Sequence, residues 1–376
     1  MECVYPSKAR KWLGPKRHPT PASRDSSLIT SPAGELPMTA FSGDDMRFFH
    51  HFLVAAHPHL PYGNEHSWTM RVPRYAHAYP CLMHAILSLG ATHYALLAPN
   101  GSQYASTAII HRGKALKALG TALGKGPEAT NTEMDVILAT CYTLVFQAYQ
   151  MNDGLVDFAV MVRGCGIVTG WILERFQTSQ MFTLQTESDV DALIAGELSD
   201  EPLSTPHSIE ALLVAMHKLP PLLNSPAHHR FFHAIRNTLA AMQISMKRTF
   251  VNLTSIYAVW YQMENKEFLT FIAPANHVSR ALFLFFLAVE LIMQPVFLKL
   301  NGFKGHKPPV TMSLVHQWAD TIYGELPASV REYVQVPTEM ILADGGLRAV
   351  ISQRAAFSDL HTLFSDVEGS TWLGCM

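Results

Sequence analysis

From Ser42 onward, apolar residues along this chain recur at three- and four-residue spacing, the period of helices that bury one face. The clearest case runs Tyr79, Leu82, Met83, Ile86, Gly90, Tyr94 and Leu97. Pro73 disfavours helical backbone at Val72, so a short extended approach is expected to feed a helix over Tyr75–Leu97. Pro99-Asn100-Gly101 closes it.

The same reading places a helix after Ser42-Gly43-Asp44-Asp45, through Phe48, Phe49, Phe52 and Leu53. Another spans Ser102–Leu123, with Tyr104, Ala108, Ala115, Leu119 and Ala122 on its apolar face. Its other face is expected to carry His111, Arg112, Lys114 and Lys117. Thr130-Asn131-Thr132-Glu133 is a capping box ahead of Met134–Met151, and Gly154 opens a helix to Leu173. Residues 176–205 are polar and acidic and read as a surface excursion. Further helices are expected at 209–219, 227–247, 250–262, 277–300, 311–323 and 336–356. No alternating β-branched run is long enough for a sheet. The fold class is all-α: a large multi-helix domain over 42–376, preceded by a disordered basic tail.

That tail, residues 1–41, differs in composition. Pro6, Pro15, Pro19, Pro21, Pro32 and Pro37 break any helix, and Lys8, Arg10, Lys11, Lys16, Arg17 and Arg24 outnumber Glu2, Asp25 and Glu35. Such a segment cannot bury enough apolar surface to offset its ordering entropy. Over the whole chain the hydrophobic fraction of 48% suits a sizeable core, while a net charge of −2 makes no bulk claim on nucleic acid or membrane. The first 40 residues hold no apolar core of a secretory signal. The apolar run Ala281–Leu300 is interrupted by Glu290, Gln294 and Pro295, and reads as a buried helix rather than a membrane span. Cys3, Cys81, Cys141, Cys165 and Cys375 are scattered, as expected of free thiols in a reducing compartment.

Catalytic signatures are sparse. Gly120 to Lys125 is one residue short of a phosphate-binding loop and ends a helix. Gly164-Cys165-Gly166 follows a helical stretch rather than a strand. The histidines His50, His51, His57, His59 and His66 have no spacing that closes a tetrahedral metal site, and His84 and His93 read as hydrogen-bonding core residues. No catalytic group and no cofactor are assigned, and the chain is expected not to be an enzyme.

Trp68, Val72, Pro73, Ala76, Pro80, Leu82, Met83, His84, Ala85, Ile86, Leu87, Leu89, Ala91, His93, Tyr94 and Ala95 form a motif. It resembles the start of the regulatory domain of fungal zinc binuclear cluster transcription factors, in particular the sterol-uptake-regulator type. The likeness is densest over 68–125 and thins through Gly154–Leu173. It implies a nuclear transcriptional regulator of sterol or secondary-metabolite genes. Its helical domain would form a homodimer, or a heterodimer with related regulators, and would take an apolar ligand as some members do.

In that family six cysteines hold two zinc ions, and the last is followed by an aromatic residue and a basic linker. The resemblance therefore implies that Cys3 is the last zinc ligand, with Tyr5 as the aromatic. The other five positions have no counterpart here, and one thiolate cannot hold a cluster. Zinc and direct DNA binding are expected only with an upstream cysteine module, either hidden by an internal start or lost. Lys8, Arg10, Lys11, Lys16 and Arg17 are candidates for phosphate contacts or nuclear import. Two alternatives stay open: an all-α enzyme or binding protein for an apolar small molecule, and a truncated partner of full-length regulators that does not bind DNA.

Overall fold

The computed structural model describes residues 41–61, 63–183, 194–203, 206–300 and 314–343. These belong to one unit, Met38–Met376, and among them there is helix and no strand. Local chemistry starts the first helix, α1 (Gly43–His51). Ser42 Oγ accepts from the Asp45 amide at 3.1 Å, and the Asp45 carboxylate accepts from the Ser42 amide at 2.8 Å. The chain then widens into a π-helical turn, Phe52–Ala56.

Around the motif the expected breaks move. Ser67–Arg71 is a π-helical turn, Val72 is helical (φ −54°, ψ −47°), and Pro73 heads the short α2 (Pro73–Ala76). The approach is thus wound rather than extended. Trp68 and Val72 are both fully buried, and the widened turn between them is closed by the Val72 amide on the Ser67 carbonyl at 2.8 Å. The extended residue is Tyr79 (φ −127°, ψ 104°), because Pro80 blocks helix through itself. Accordingly α3 (Pro80–Leu97) begins at Pro80, five residues after the expected Tyr75.

After a 3-10 turn at Gly101–Tyr104 come α4 (Ala105–Leu123), α5 (Asn131–Ala148) and α6 (Leu155–Phe176). The Thr130/Glu133 capping box is present at the start of α5. Helix α3 lies in the middle of this half, packed by α1, α4 and α5, while α6 lies against α5. Its buried residues Leu82, Ala85, Ile86 and Leu89 join the main core.

The second half is α7 (Pro206–Met216), α8 (Pro226–Met242), α9 (Met246–Gln262), α10 (Asn265–Ile272), α11 (His277–Leu300), α12 (Leu314–Glu325), α13 (Ala328–Arg331) and α14 (Gln335–Ala343). The expected 227–247 helix ends early. Ser245 turns extended and caps α9 by accepting from the Arg248 amide, so the chain breaks at 243–245. Helix α10 is an addition, and the expected 336–356 helix is described only to Ala343.

Helix α11 is fully walled in from Ala281 to Val289 by α8, α12 and α14. Phe231 stacks on Trp260 at 5.7 Å, and Phe158, Phe283 and Phe286 close the ring around that indole. Since Phe158 lies on α6, one core cluster runs from Phe52 to Ile341. Three helices, α3, α6 and α11 up to Phe297, are long and apolar enough to span a membrane by length and composition, where only the last stood out in sequence. In α3 and α11 about two thirds or more of the apolar window is packed inside the protein, at 67% and 72%.

Residues 176–205 are not a plain surface excursion. Met181, Phe182, Ile194, Leu198 and Leu203 are buried. Asp135 on α5 holds the segment, accepting from the Ser179 hydroxyl at 2.5 Å and from the Gln180 and Met181 amides at 2.6 and 3.0 Å. Asn64 adds a two-sided amide contact to Thr183.

Candidate functional site

The motif helix and its neighbours form the region where chemistry or regulation would reside, and its polar groups form a chain across four helices. Ser88 Oγ on α3 donates to the Ala108 carbonyl on α4 at 2.7 Å. Thr92 Oγ1 donates to the Ser88 carbonyl, and Gln147 Nε2 on α5 donates to Thr92 Oγ1 at 3.1 Å. Arg112 on α4 completes the chain, donating to Gln147 Oε1 at 2.8 Å and to Asp157 Oδ2 on α6 at 2.7 Å. Every link is satisfied, so the network positions helices and offers no unengaged group to a substrate.

Helix α4 buries Ala108, Ala115 and Leu119 as expected, and departs from expectation at two polar positions. His111 and Arg112 are buried, whereas Lys114 and Lys117 are exposed as anticipated. The outward surface instead shows Ile109, Ile110, Leu116 and Leu123. A charged residue reaches the core side because its partners lie 35 and 45 residues away, on helices that only the tertiary fold brings near.

His84 and His93 do hydrogen-bond, each to another histidine. His84 Nδ1 lies 3.1 Å from His111 Nδ1, and His111 Nε2 lies 3.0 Å from Asp45 Oδ1 on α1. His93 Nδ1 lies 2.9 Å from His51 Nε2. Burial, with the neighbouring imidazole adding to it, holds His84 and His51 at about 4 and His93 at about 3. At neutral pH these pairs are uncharged clamps between α1, α3 and α4. The Asp45 carboxyl is pushed up by burial, but its Ser42 hydrogen bonds and His111 outweigh that and leave it lowered. Among the described residues no three His, Cys, Asp or Glu side chains group to hold a metal ion.

Several structural polar residues escaped the sequence reading. Arg163 Nε donates to the Trp260 carbonyl at 3.1 Å, and its Nη2 donates to the Met263 carbonyl and Asn265 Oδ1, so it caps the end of α9 from α6. Glu290 is buried on α11 and accepts from the Tyr257 hydroxyl at 2.5 Å. Burial pushes its carboxyl up to about 7, only partly offset by that hydrogen bond. Such a group could serve as an acid or base. It is buried, and it lines neither of the two best-formed depressions among the described residues. An arginine or glutamate inside an otherwise apolar helix was the one available signal for either.

The two best-formed depressions among the described residues lie on the surface. One, of about 620 Å³, is lined by Pro226, Arg230, Gln262, Glu264 and Glu267. The other, of about 470 Å³, is lined by Ile194, Asp200, Ser245, Lys247, Arg248 and Val251. Charged side chains rim both, while Ile194 and Val251 give the second a mainly apolar wall. The Phe/Leu-rich α11 lines neither and is core.

Cys81, Cys141 and Cys165 are buried free thiols, and burial pushes Cys81 and Cys165 above the ordinary thiol range. The sequence candidates Cys3, Lys8, Arg10, Lys11, Lys16 and Arg17 lie outside the described residues.

Comparison with known proteins adds three findings. Residues 47–165 match the family model for the fungal specific transcription factor domain. A stretch of 113 residues is 30% identical to sterol uptake control protein 2 of Saccharomyces cerevisiae, covering 29% of this chain and 12% of that relative. No solved structure matches.

Proposed function

We propose that this chain acts as a fungal transcriptional regulator whose helical body relays a signal and turns over no substrate, on the ground that residues 47–165 match the family model for the fungal specific transcription factor domain. The observation that carries this is one of position. The matched stretch coincides with the block from α1 into α6, and the Trp68–Ala95 motif supplies that block's central helix. Residues 42–376 then serve as the regulatory and dimerisation domain, and 1–41 as its basic linker.

The similarity to a sterol uptake control protein supports sterol genes as targets and a sterol-like effector. Secondary-metabolite genes are the other target class. The protein works in the nucleus. Lys8, Arg10, Lys11, Lys16 and Arg17 supply import or phosphate contacts. Cys3 closes a zinc cluster when joined to an upstream cysteine module, and direct DNA reading depends on that module.

The experiment fuses the chain to a heterologous DNA-binding domain in yeast and reads a matching reporter with and without sterol depletion. Localisation of a fluorescent fusion is scored in parallel. A severalfold reporter response and nuclear signal, the latter lost when the five basic residues become alanine, are expected. A cytoplasmic protein with an unresponsive reporter would refute the reading.

A further inference from the structure

The outward face of α4 is apolar and contoured at a helical period. Ile109, Leu116 and Leu123 stand seven residues apart and are 51%, 36% and 38% exposed. Between them lie Gly113 and Gly120, also exposed, where an added methyl would meet nothing within 4 Å. Large side chains and gaps therefore alternate along one line, at the spacing by which side chains of one helix enter the holes of another. From Ile109 to Leu123 the line runs about 21 Å and is one helix wide.

Charge marks one edge of it. At about 100° per residue, Lys114 and Lys117 fall on the side of Ile110, which is itself 56% exposed. Both lysines are exposed, and among the described residues neither is paired with a carboxylate. Helix α4 has no Asp or Glu of its own. Asp45 and Asp157, which bond to α4, are engaged by His111 and Arg112, both buried.

Contour and charge together select the occupant. The exposed apolar area is on the order of a few hundred Å², whereas a stable dimer buries about 800 Å² on each partner. A second copy would also set α4 against α4 and bring no acid to the lysines. An anionic lipid surface would satisfy the lysines but has nothing shaped to fill the gaps at Gly113 and Gly120. A single helix with acidic residues along one edge answers both.

We propose that the outward face of α4 docks an amphipathic helix of another protein, about four turns long, whose bulky apolar residues fill the gaps at Gly113 and Gly120 and whose Asp or Glu side chains meet Lys114 and Lys117. Such docking lies outside the transcriptional reading, which can fail without affecting it.

The test measures binding of a fluorescein-labelled synthetic helix to the full chain by anisotropy. The probe has about three heptads, with Leu at the two apolar positions of each and Glu along one edge. Its control carries Lys in place of every Glu. The Glu probe is expected to bind with a Kd on the order of micromolar, and the Lys probe about tenfold or more weaker. Lys114→Glu with Lys117→Glu should reverse that preference. Gly113→Leu should raise helix propensity, keeping the fold, yet cut binding of the Glu probe by about tenfold or more. Leu116→Glu, at an exposed position, should do the same. Absence of binding, equal binding of the two probes, or binding indifferent to these variants would overturn the proposal. Self-association of the wild type that Leu116→Glu abolishes would overturn it in favour of a second copy. Sedimentation with phosphatidylserine vesicles that the double lysine variant abolishes would overturn it in favour of a membrane.

Discussion

Replacing Gly90 with alanine should loosen the junction between α1 and the motif helix. A Cβ at this position would lie 2.2 Å from the Phe48 carbonyl oxygen and 2.9 Å from its carbon, both backbone atoms. Ordinary contact needs roughly 3.3 Å, so α1 would have to retreat by about 1 Å, and close-packed interiors yield that at a cost of about 3 kcal/mol. Alanine returns about 1 kcal/mol of helix propensity, leaving a net loss of about 2 kcal/mol. The matched control is Gly113→Ala on α4, where the new methyl meets nothing within 4 Å and only the gain of about 1 kcal/mol remains. Urea unfolding of both variants, at unchanged denaturant slope, should separate them by about 3 kcal/mol. Melting of Gly90→Ala should fall by about 3 °C, given the unfolding entropy of a unit this long. If Gly90→Ala proves as stable as the wild type, or the two variants move together, the close approach of α1 to α3 is not what holds this junction.

Stability should fall on both sides of a window in pH. Glu290 is raised from 4.5 to about 7, so the stability tied to its protonated form is complete below 4.5 and is lost as pH rises through 7. Glu290→Gln should accordingly gain about 2–3 kcal/mol on the wild type at pH 8 relative to pH 5 in chemical denaturation, and an unchanged difference would refute a buried carboxyl. On the acid side, His51 and His93 are depressed from 6.5 to about 4 and about 3. Their contribution is present above 6.5 and lost as pH falls through those values, so the wild type should weaken below 6.5 before most carboxylates titrate. Arg112→Met strands the buried Gln147 oxygen and should cost about 2 kcal/mol. Asp157→Asn should cost well under 1 kcal/mol, because the Asp157 side chain is 45% exposed and shares its charge with water. Equal losses would show that the ion pair, rather than the buried amide, carries the network.

Helix starts were legible wherever neighbouring residues settle them. Ser42 with Asp45 and Thr130 with Glu133 cap their helices through contacts three residues apart, which a sequence displays directly. Breaks at proline were half legible. The rule against helix before proline holds at Tyr79 and fails at Val72, where burial of Trp68 and Val72 outweighs a local preference. The likeness to the fungal specific transcription factor domain was also readable, since it rests on residues clustered between Trp68 and Ala95. The candidate ligand Cys3 and the basic residues after it lie outside the described residues.

Sequence alone determined that this chain is helical, where most helices begin, and which stretch carries the family motif, because capping and apolar periodicity act over three or four residues. Tertiary structure alone decided which polar residues of α4 turn inward. Arg112 turns inward for Gln147 and Asp157, His111 for Asp45 and His84, and Ile109, Leu116 and Leu123 are left outward. Local pattern would place those charges in water. A buried charge is tolerated only where distant partners complete its hydrogen bonds, and those partners arrive only when the helices pack.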